Sequence, residues 1–213
     1  GWRVVWLGTQ TGMESRLVAQ QGYAMETISF SGLRGKRVLT WLTLPLRLLL
    51  AFKQSLTILR RVRPDVVLGM GGYPAFPGGM MAVLLNKPLL IHEQNSVPGL
   101  TNRILARLAD KVILGFPAEI KADAGKVIIA GNPVRQEIAM LETPEKRFSG
   151  RTGPLRLLVV GGSLGAQILN TMVPQALQRI PEENRPVVVH QGGEKNLDVI
   201  RRNYLESGVN AQL

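Results

Sequence analysis

Seven short runs of valine, isoleucine and leucine recur along the chain, at residues 4–7, 66–68, 89–91, 112–114, 127–129, 155–160 and 187–189. Apart from Arg156 in the run at 155–160, each is apolar at consecutive positions rather than alternate ones. That pattern suits strands of a parallel sheet buried on both faces. Between several of the runs lie segments of helical character, at residues 13–21, 38–62, 79–85, 100–109 and 167–179. Strand–helix alternation of this kind predicts an α/β protein with doubly wound parallel sheets.

With 213 residues the chain has room for one large domain or two small ones. Residues 142–151 are polar, carry Pro144 and Gly150, and follow neither period. A new strand opens after them and runs straight into a glycine turn. We therefore expect one domain over residues 1–134 and the start of a second over 135–213. The first residue is Gly1 in what reads as a strand under way, and both ends look cut from a longer chain.

The second domain opens with residues 155–160, then Gly161-Gly162-Ser163-Leu164-Gly165-Ala166, then a helix. Glycines in such a turn let the backbone approach a phosphate. The helix beyond offers unpaired N–H groups and the positive end of its dipole. The same turn also serves as a ligand-free connection. Its spacing is not that of a dinucleotide fingerprint, and the next strand tip, Val189-His190-Gln191-Gly192-Gly193, has no acidic residue for a ribose. No Gly-Lys-Ser/Thr closes it as in a P-loop. A dehydrogenase is thereby disfavoured.

A similar device follows residues 65–68. It is Gly69-Met70-Gly71-Gly72-Tyr73, then Pro74 and Gly78-Gly79. One reading is a second phosphate-bearing ligand, and the other is close packing of a helix on a strand. Two further strand ends carry polar clusters, His92-Glu93-Gln94-Asn95 and Gly131-Asn132-Pro133-Val134-Arg135. Open α/β sheets bind ligands beyond the carboxyl ends of their strands. Arg135 suits a diphosphate or a surface ion pair. Asn95 suits a ligand or a helix cap. His92 and Glu93 suit acid–base work, and His92 also suits a structural hydrogen bond at a strand end.

Between residues 27 and 64 there is no Asp or Glu, yet eight Lys and Arg residues account for most of the net charge of +11. The same stretch is rich in leucine. Leu39, Leu42, Leu46 and Leu49 form one apolar flank, expected to face the core. Trp41, Leu44, Leu48 and Phe52 form another, with Arg47 and Lys53 beside it. Pro45 and the charges argue against a spanning helix. An apolar flank beside cations suits contact with an anionic membrane surface, while burial on two sides is the plainer alternative. Nucleic acid is disfavoured, because reading helices present polar side chains. There is no cysteine, and His92 and His190 are the only histidines, so no metal site is expected.

Six segments in order resemble the MurG family: Gly8-Thr9 with Gly12-Met13-Glu14, Ser31-Gly32-Leu33-Arg34-Gly35-Lys36, residues 64–73, His92-Glu93-Gln94-Asn95, residues 131–135 and residues 159–166. The resemblance implies a GT-B fold of two Rossmann-like domains, the second incomplete here. It implies inverting transfer of GlcNAc from UDP-GlcNAc to the C4 hydroxyl of undecaprenyl-diphospho-N-acetylmuramoyl-pentapeptide, in peptidoglycan synthesis. It implies no cofactor and peripheral attachment at the cytoplasmic face of the bacterial inner membrane, with anionic lipids and other cell-wall synthesis proteins as partners. By position, Asn95, Arg135 and Ser163 match donor-binding residues, and Gly161, Gly162 and Gly165 match the donor-side turn. Gly71, Gly72 and Tyr73 match the turn facing the acceptor diphosphate.

Two departures follow from the resemblance. The family's first glycine turn, whose histidine is the favoured acceptor-activating group, lies before residue 1. The half-domain that holds uracil, ribose and sugar lies after residue 213. The 213-residue piece is thus expected to be inactive alone. Pro74-Ala75-Phe76 is a less usual version of the family's loop. The rivals are another nucleotide-sugar enzyme of GT-B or epimerase type, and a non-catalytic membrane-binding module.

Overall fold

A computed structural model describes residues 1–30, 43–162 and 166–213. The chain divides into two compact units, Gly1–Ala139 and Met140–Leu213. The division falls just before the polar stretch and slightly later than the expected change at 134/135, because a short helix at Gln136–Ala139 stays with the first unit.

Every strand pair in both units is parallel. In the first unit β1 (Val5–Thr9) pairs with β2 (Ala24–Ile28), with α1 (Met13–Gln20) between them in sequence. A four-stranded sheet has the order β3 (Val67–Gly69), β4 (Leu89–Glu93), β5 (Lys111–Leu114), β6 (Val127–Ile129). Helix α2 (Leu44–Val62) precedes β3, α3 (Ala75–Leu84) follows it, α4 (Leu100–Leu105) follows β4, and α5 (Gln136–Ala139) ends the unit. With all strands parallel and joined by crossovers, their carboxyl ends collect at one edge of the sheet.

The core lies where β4 and β5 meet α3 and α4. Leu89, Ile91, Leu105, Ala106, Ala109, Val112 and Leu114 are buried there, with Phe76 and Met80 packed against them. A smaller cluster of Ile28, Ala51 and Ile58 seats α2 beside β1 and β2. Arg61 of α2 also pairs with Glu26 of β2.

Two details differ from expectation. Helix α3 begins at Ala75, not at residue 79, so Gly78 and Gly79 lie inside it and are buried. A Cβ on Gly78 would meet Leu7 Cδ2 at 2.6 Å, and one on Gly79 would meet Leu105 Cδ1 at 2.7 Å. These two glycines are therefore close-packing residues. Pro45 does not weaken α2 but sits in its first turn, where proline lacks no needed donor.

The second unit holds α6 (Pro144–Phe148), then a sheet of order β7 (Arg156–Val160), β8 (Val187–Gln191), β9 (Ala211–Gln212). Helices α7 (Gln167–Gln178) and α8 (Leu197–Glu206) join the strands. Val159, Val188, Leu177, Ile200, Tyr204 and Val209 form its core. Both helices of this unit lie on one face of the sheet. Leu158, Val160, Val187 and Val189 are exposed, because both helices pack on the face that carries Val159 and Val188. Strands β2 and β9 and helix α8 had no expectation at all.

Candidate functional site

In the first unit the loops beyond β3, β4 and β6 are stitched together by side-chain amides. The turn after β3 carries Gly71 and Gly72 at φ +84° and +75°, a left-handed backbone that side chains resist. Helix α3 starts just beyond, with no side chain capping its first N–H groups. Gln94 Nε2 donates to the carbonyl of Met70 at 3.2 Å, tying the β4 loop to this turn. Asn132 Nδ2 donates to the carbonyl of Gln94 at 3.0 Å, tying in the β6 loop. Asn132 lies across Gly115, where a Cβ would meet its Oδ1 at 2.1 Å.

His92 and Glu93 are buried at the centre of this arrangement. His92 Nε2 faces the carbonyl of Gly131 at 3.2 Å, and Gln94 Nε2 faces His92 Nδ1 at 3.1 Å. A carbonyl only accepts and an amide nitrogen only donates, so Nε2 carries the proton and Nδ1 accepts. Both ring nitrogens are thus engaged in structure. Glu93 Oε1 accepts from the N–H of Asn95 at 3.0 Å and from its Nδ2 at 3.1 Å. Oε2 accepts from the N–H of Gly99 at 3.1 Å and from Asn102 Nδ2 at 2.9 Å. Burial would raise this carboxyl's pKa, but the donors from Asn95, Asn102 and Gly99 outweigh it and hold it below the ordinary 4.5. Both residues are thus held in hydrogen bonds: for His92 this is the structural alternative set out above, and for Glu93 no such role was expected.

Asn95 is exposed at the loop's surface, its side chain oriented by Glu93 rather than capping α4, whose N-cap position is Gly99. Arg135 is also exposed, and among the described residues it makes no ion pair. Tyr73 is half-exposed. Its ring meets Phe30 edge-on at 6.0 Å, and its hydroxyl lies 3.5 Å from that of Thr9 at the end of β1.

Glu14 is a residue that motif reasoning quoted without a role. Its Oε1 accepts from both the N–H and the hydroxyl of Thr9, each at 2.9 Å. Glycine at position 12 makes room, since a Cβ there would overlap the carboxylate. Glu14 thereby fixes the end of β1 beside the Gly71–Tyr73 turn. The signal in the sequence was the spacing Gly8-Thr9 to Gly12-Met13-Glu14.

In the second unit Gly161 donates its N–H to the carbonyl of Gln191 at 2.8 Å, and Gln191 Nε2 donates back to the carbonyl of Gly162 at 3.1 Å. The β7 turn is thus clamped to the β8 turn. The Gly161 amide is engaged internally. Gly162 holds φ +75°. Ser163, Leu164 and Gly165 lie outside the described residues. Helix α7 begins beyond them with no side-chain cap. The Gln191-Gly192-Gly193 turn is braced in turn by Asn170 Nδ2 and Asn196 Nδ2, both donating to the Gly192 carbonyl. Sequence reasoning had noted that turn only for its lack of an acid.

The surface of α2 is arranged differently from the expectation. Leu46 and Leu49, expected to face the core, are 73% and 64% exposed, and Leu50 is 47% exposed. Leu44, Leu48 and Arg47 are half-buried, and Phe52 packs on Phe76 with ring centroids 5.9 Å apart. The buried stripe is Ala51, Ser55, Ile58 and Leu59, which rotates the outward flank to Leu46, Leu49 and Leu50, with Lys53 exposed beside it. Trp41, Leu39 and Leu42 lie outside the described residues. No described helix is long and apolar enough to cross a membrane, and among the described residues no three acidic or histidine side chains gather to hold a metal.

The model of the glycosyltransferase family 28 N-terminal domain matches residues 1–114, and that of the family's C-terminal domain matches residues 156–212. The chain belongs to glycosyltransferase family 28. A Nitrosospira multiformis protein named UDP-N-acetylglucosamine–N-acetylmuramyl-(pentapeptide) pyrophosphoryl-undecaprenol N-acetylglucosamine transferase is 66% identical across all of this chain. A Nitrosomonas europaea protein of the same name is 59% identical across the same residues. The chain spans 59% and 60% of the length of these two relatives. The crystal structure of Acinetobacter baumannii MurG matches all of this chain and 56% of its own, at 34% identity and a TM-score of 0.67. The two family 28 units with their parallel sheets are of the GT-B type.

Proposed function

We propose that the protein carrying this chain transfers GlcNAc from UDP-GlcNAc to the C4 hydroxyl of undecaprenyl-diphospho-N-acetylmuramoyl-pentapeptide, with inversion at the anomeric carbon. The observation that carries the reading is the 66% identity, over every residue of the chain, to a relative named as an N-acetylglucosamine transferase for UDP-N-acetylglucosamine and N-acetylmuramyl-(pentapeptide) pyrophosphoryl-undecaprenol. The C4 hydroxyl and the inversion come from the family resemblance. In the reaction the acceptor oxygen attacks the anomeric carbon, the bond to the diphosphate breaks, and UDP leaves with the electron pair. The acceptor proton goes to a base. His92 and Glu93 have their accepting atoms engaged, so neither takes that role.

The chain's residues bind and orient. The left-handed Gly71–Gly72 turn and the uncapped start of α3 suit the acceptor diphosphate, with Tyr73 beside it. In the second unit, residues 161–165 and the start of α7 are matched by the family resemblance to the donor diphosphate. In the first unit, Arg135 suits a diphosphate and Asn95 a polar contact, the two residues there that the resemblance assigns to the donor. Leu46, Leu49 and Leu50 with Lys53 suit the headgroup boundary of an anionic membrane, the cytoplasmic face of the inner membrane where the lipid-linked acceptor is presented.

The test supplies the full-length gene product with labelled UDP-GlcNAc and the lipid-linked muramoyl acceptor in vesicles. Release of UDP together with a labelled lipid-linked disaccharide is expected. An epimerised nucleotide sugar, or vesicle binding with no turnover, would sink the reading.

A further inference from the structure

The Glu93 carboxylate divides its two oxygens between the loop just after β4 and the start of α4. Oε1 holds Asn95 through backbone and side chain, and Oε2 holds Asn102 and the N–H of Gly99. Asn102 is 2% exposed and makes a second bond, from Nδ2 to the carbonyl of His92 at 3.1 Å. Above it lies Gly71, close enough that a Cβ there would stand 3.2 Å from Asn102 Nδ2. One buried anion therefore sets both the direction of the Asn95 side chain and the floor beneath the Gly71 turn. A group fixed by four donors leaves neither partner free to settle elsewhere, and such support decides whether a binding loop is held in a productive geometry.

We propose that Glu93 is a positioning residue that holds the donor-side Asn95 and the acceptor-side Gly71 turn in one register. The inference rests on the transferase reading above and assigns Glu93 no part in the chemistry. A purely architectural carboxylate would, on mutation, lower stability and leave substrate binding by the folded fraction unchanged. A positioning residue alters the binding of both substrates.

The experiment measures KM for UDP-GlcNAc and for the lipid-linked acceptor independently, in the full-length gene product and its variants, with thermal melts alongside. Glu93→Gln turns one acceptor oxygen into a donor facing N–H groups. It is expected to raise both KM values about tenfold, the effect of one lost charge-assisted hydrogen bond. Asn95→Ala, at an exposed position, is expected to raise the donor KM alone. A folded Glu93→Gln protein with either KM within about twofold of the parent overturns the proposal. Should Glu93→Gln not fold at the assay temperature, Asn102→Ser decides. That variant keeps the carboxylate and removes the amide beneath Gly71, so an unchanged acceptor KM overturns the proposal by itself. No turnover in the parent protein would sink the functional reading, and this inference with it.

Discussion

The hydroxyl of Tyr73 stands 3.5 Å from the hydroxyl of Thr9, a residue 64 positions earlier in the chain. The contact brings the end of β1 to the glycine turn beyond β3, and Glu14 anchors it by accepting both donors of Thr9. Thr9 is 2% exposed, so a side chain that cannot donate leaves Glu14 short of a partner. Thr9→Val is expected to cost about 1–2 kcal/mol, read as a lower urea midpoint at unchanged slope. Burial raises the Glu14 carboxyl, but the hydrogen bonds from Thr9 and from Glu14's own backbone N–H outweigh it and hold its pKa below 4.5. A depressed carboxyl stabilises the fold above its unfolded pKa and loses that stability as pH falls through the folded value. The midpoint of Thr9→Val should therefore fall less steeply below pH 4.5 than that of the parent.

Gly79 sets two effects against each other. Replacing a helical glycine by alanine favours the helix by about 0.5–1 kcal/mol. The new methyl would lie 2.7 Å and 3.0 Å from the two Cδ atoms of Leu105, which is fully buried. Overpacking a filled core costs about 1–3 kcal/mol. The second effect is larger, so Gly79→Ala should destabilise the first unit, and a thermal melt of the variant checks the sign.

His190 is fully buried, with Nδ1 2.9 Å from the hydroxyl of Tyr204 and Nε2 unpartnered among the described residues. Burial depresses its pKa below the ordinary 6.5. Unfolding between the folded value and 6.5 takes up a proton. Stability is fully present above 6.5 and declines as pH falls below it. At pH 6.5 the His190 ring resonances should report a ring more than half neutral, and hydrogen exchange in β8 should speed up on acidification below that point. A His190→Phe variant should show no such acceleration.

These relationships differ in how far the residues announce them. The runs that became β1 and β3 to β8 are largely apolar at successive positions, short, and bounded by turn residues, which together suit strands of a parallel sheet. Strand β2 interrupts its apolar residues with Glu26 and Thr27, so nothing in its pattern sets it apart from a loop. The glycine turns and polar strand ends were legible because ligand-side loops need both. What Glu93 does was not. Its partners lie two, six and nine residues away, and the two longer separations become contacts only after α4 has folded back on β4. Helix α2 has apolar residues on two flanks, so its composition left the inward one undetermined. Phe76 of α3 decided it by taking Phe52.

That choice of flank carries the last prediction. Leu46 and Leu49 are 73% and 64% exposed, so replacing them with glutamate removes little from the core. Exposed substitutions of this kind change stability by about 0.5 kcal/mol or less. The same changes put charge where a headgroup boundary would take apolar side chains, next to the cation of Lys53. The double variant Leu46→Glu/Leu49→Glu should melt with the parent and lose sedimentation with vesicles containing anionic lipid. Phe52→Ala should behave in the opposite way. It opens a gap against Phe76 and should destabilise the first unit by about 1–3 kcal/mol. Its folded fraction should still sediment, because Leu46, Leu49 and Leu50 remain in place. Retained sedimentation of the leucine double variant would remove α2 from the membrane contact.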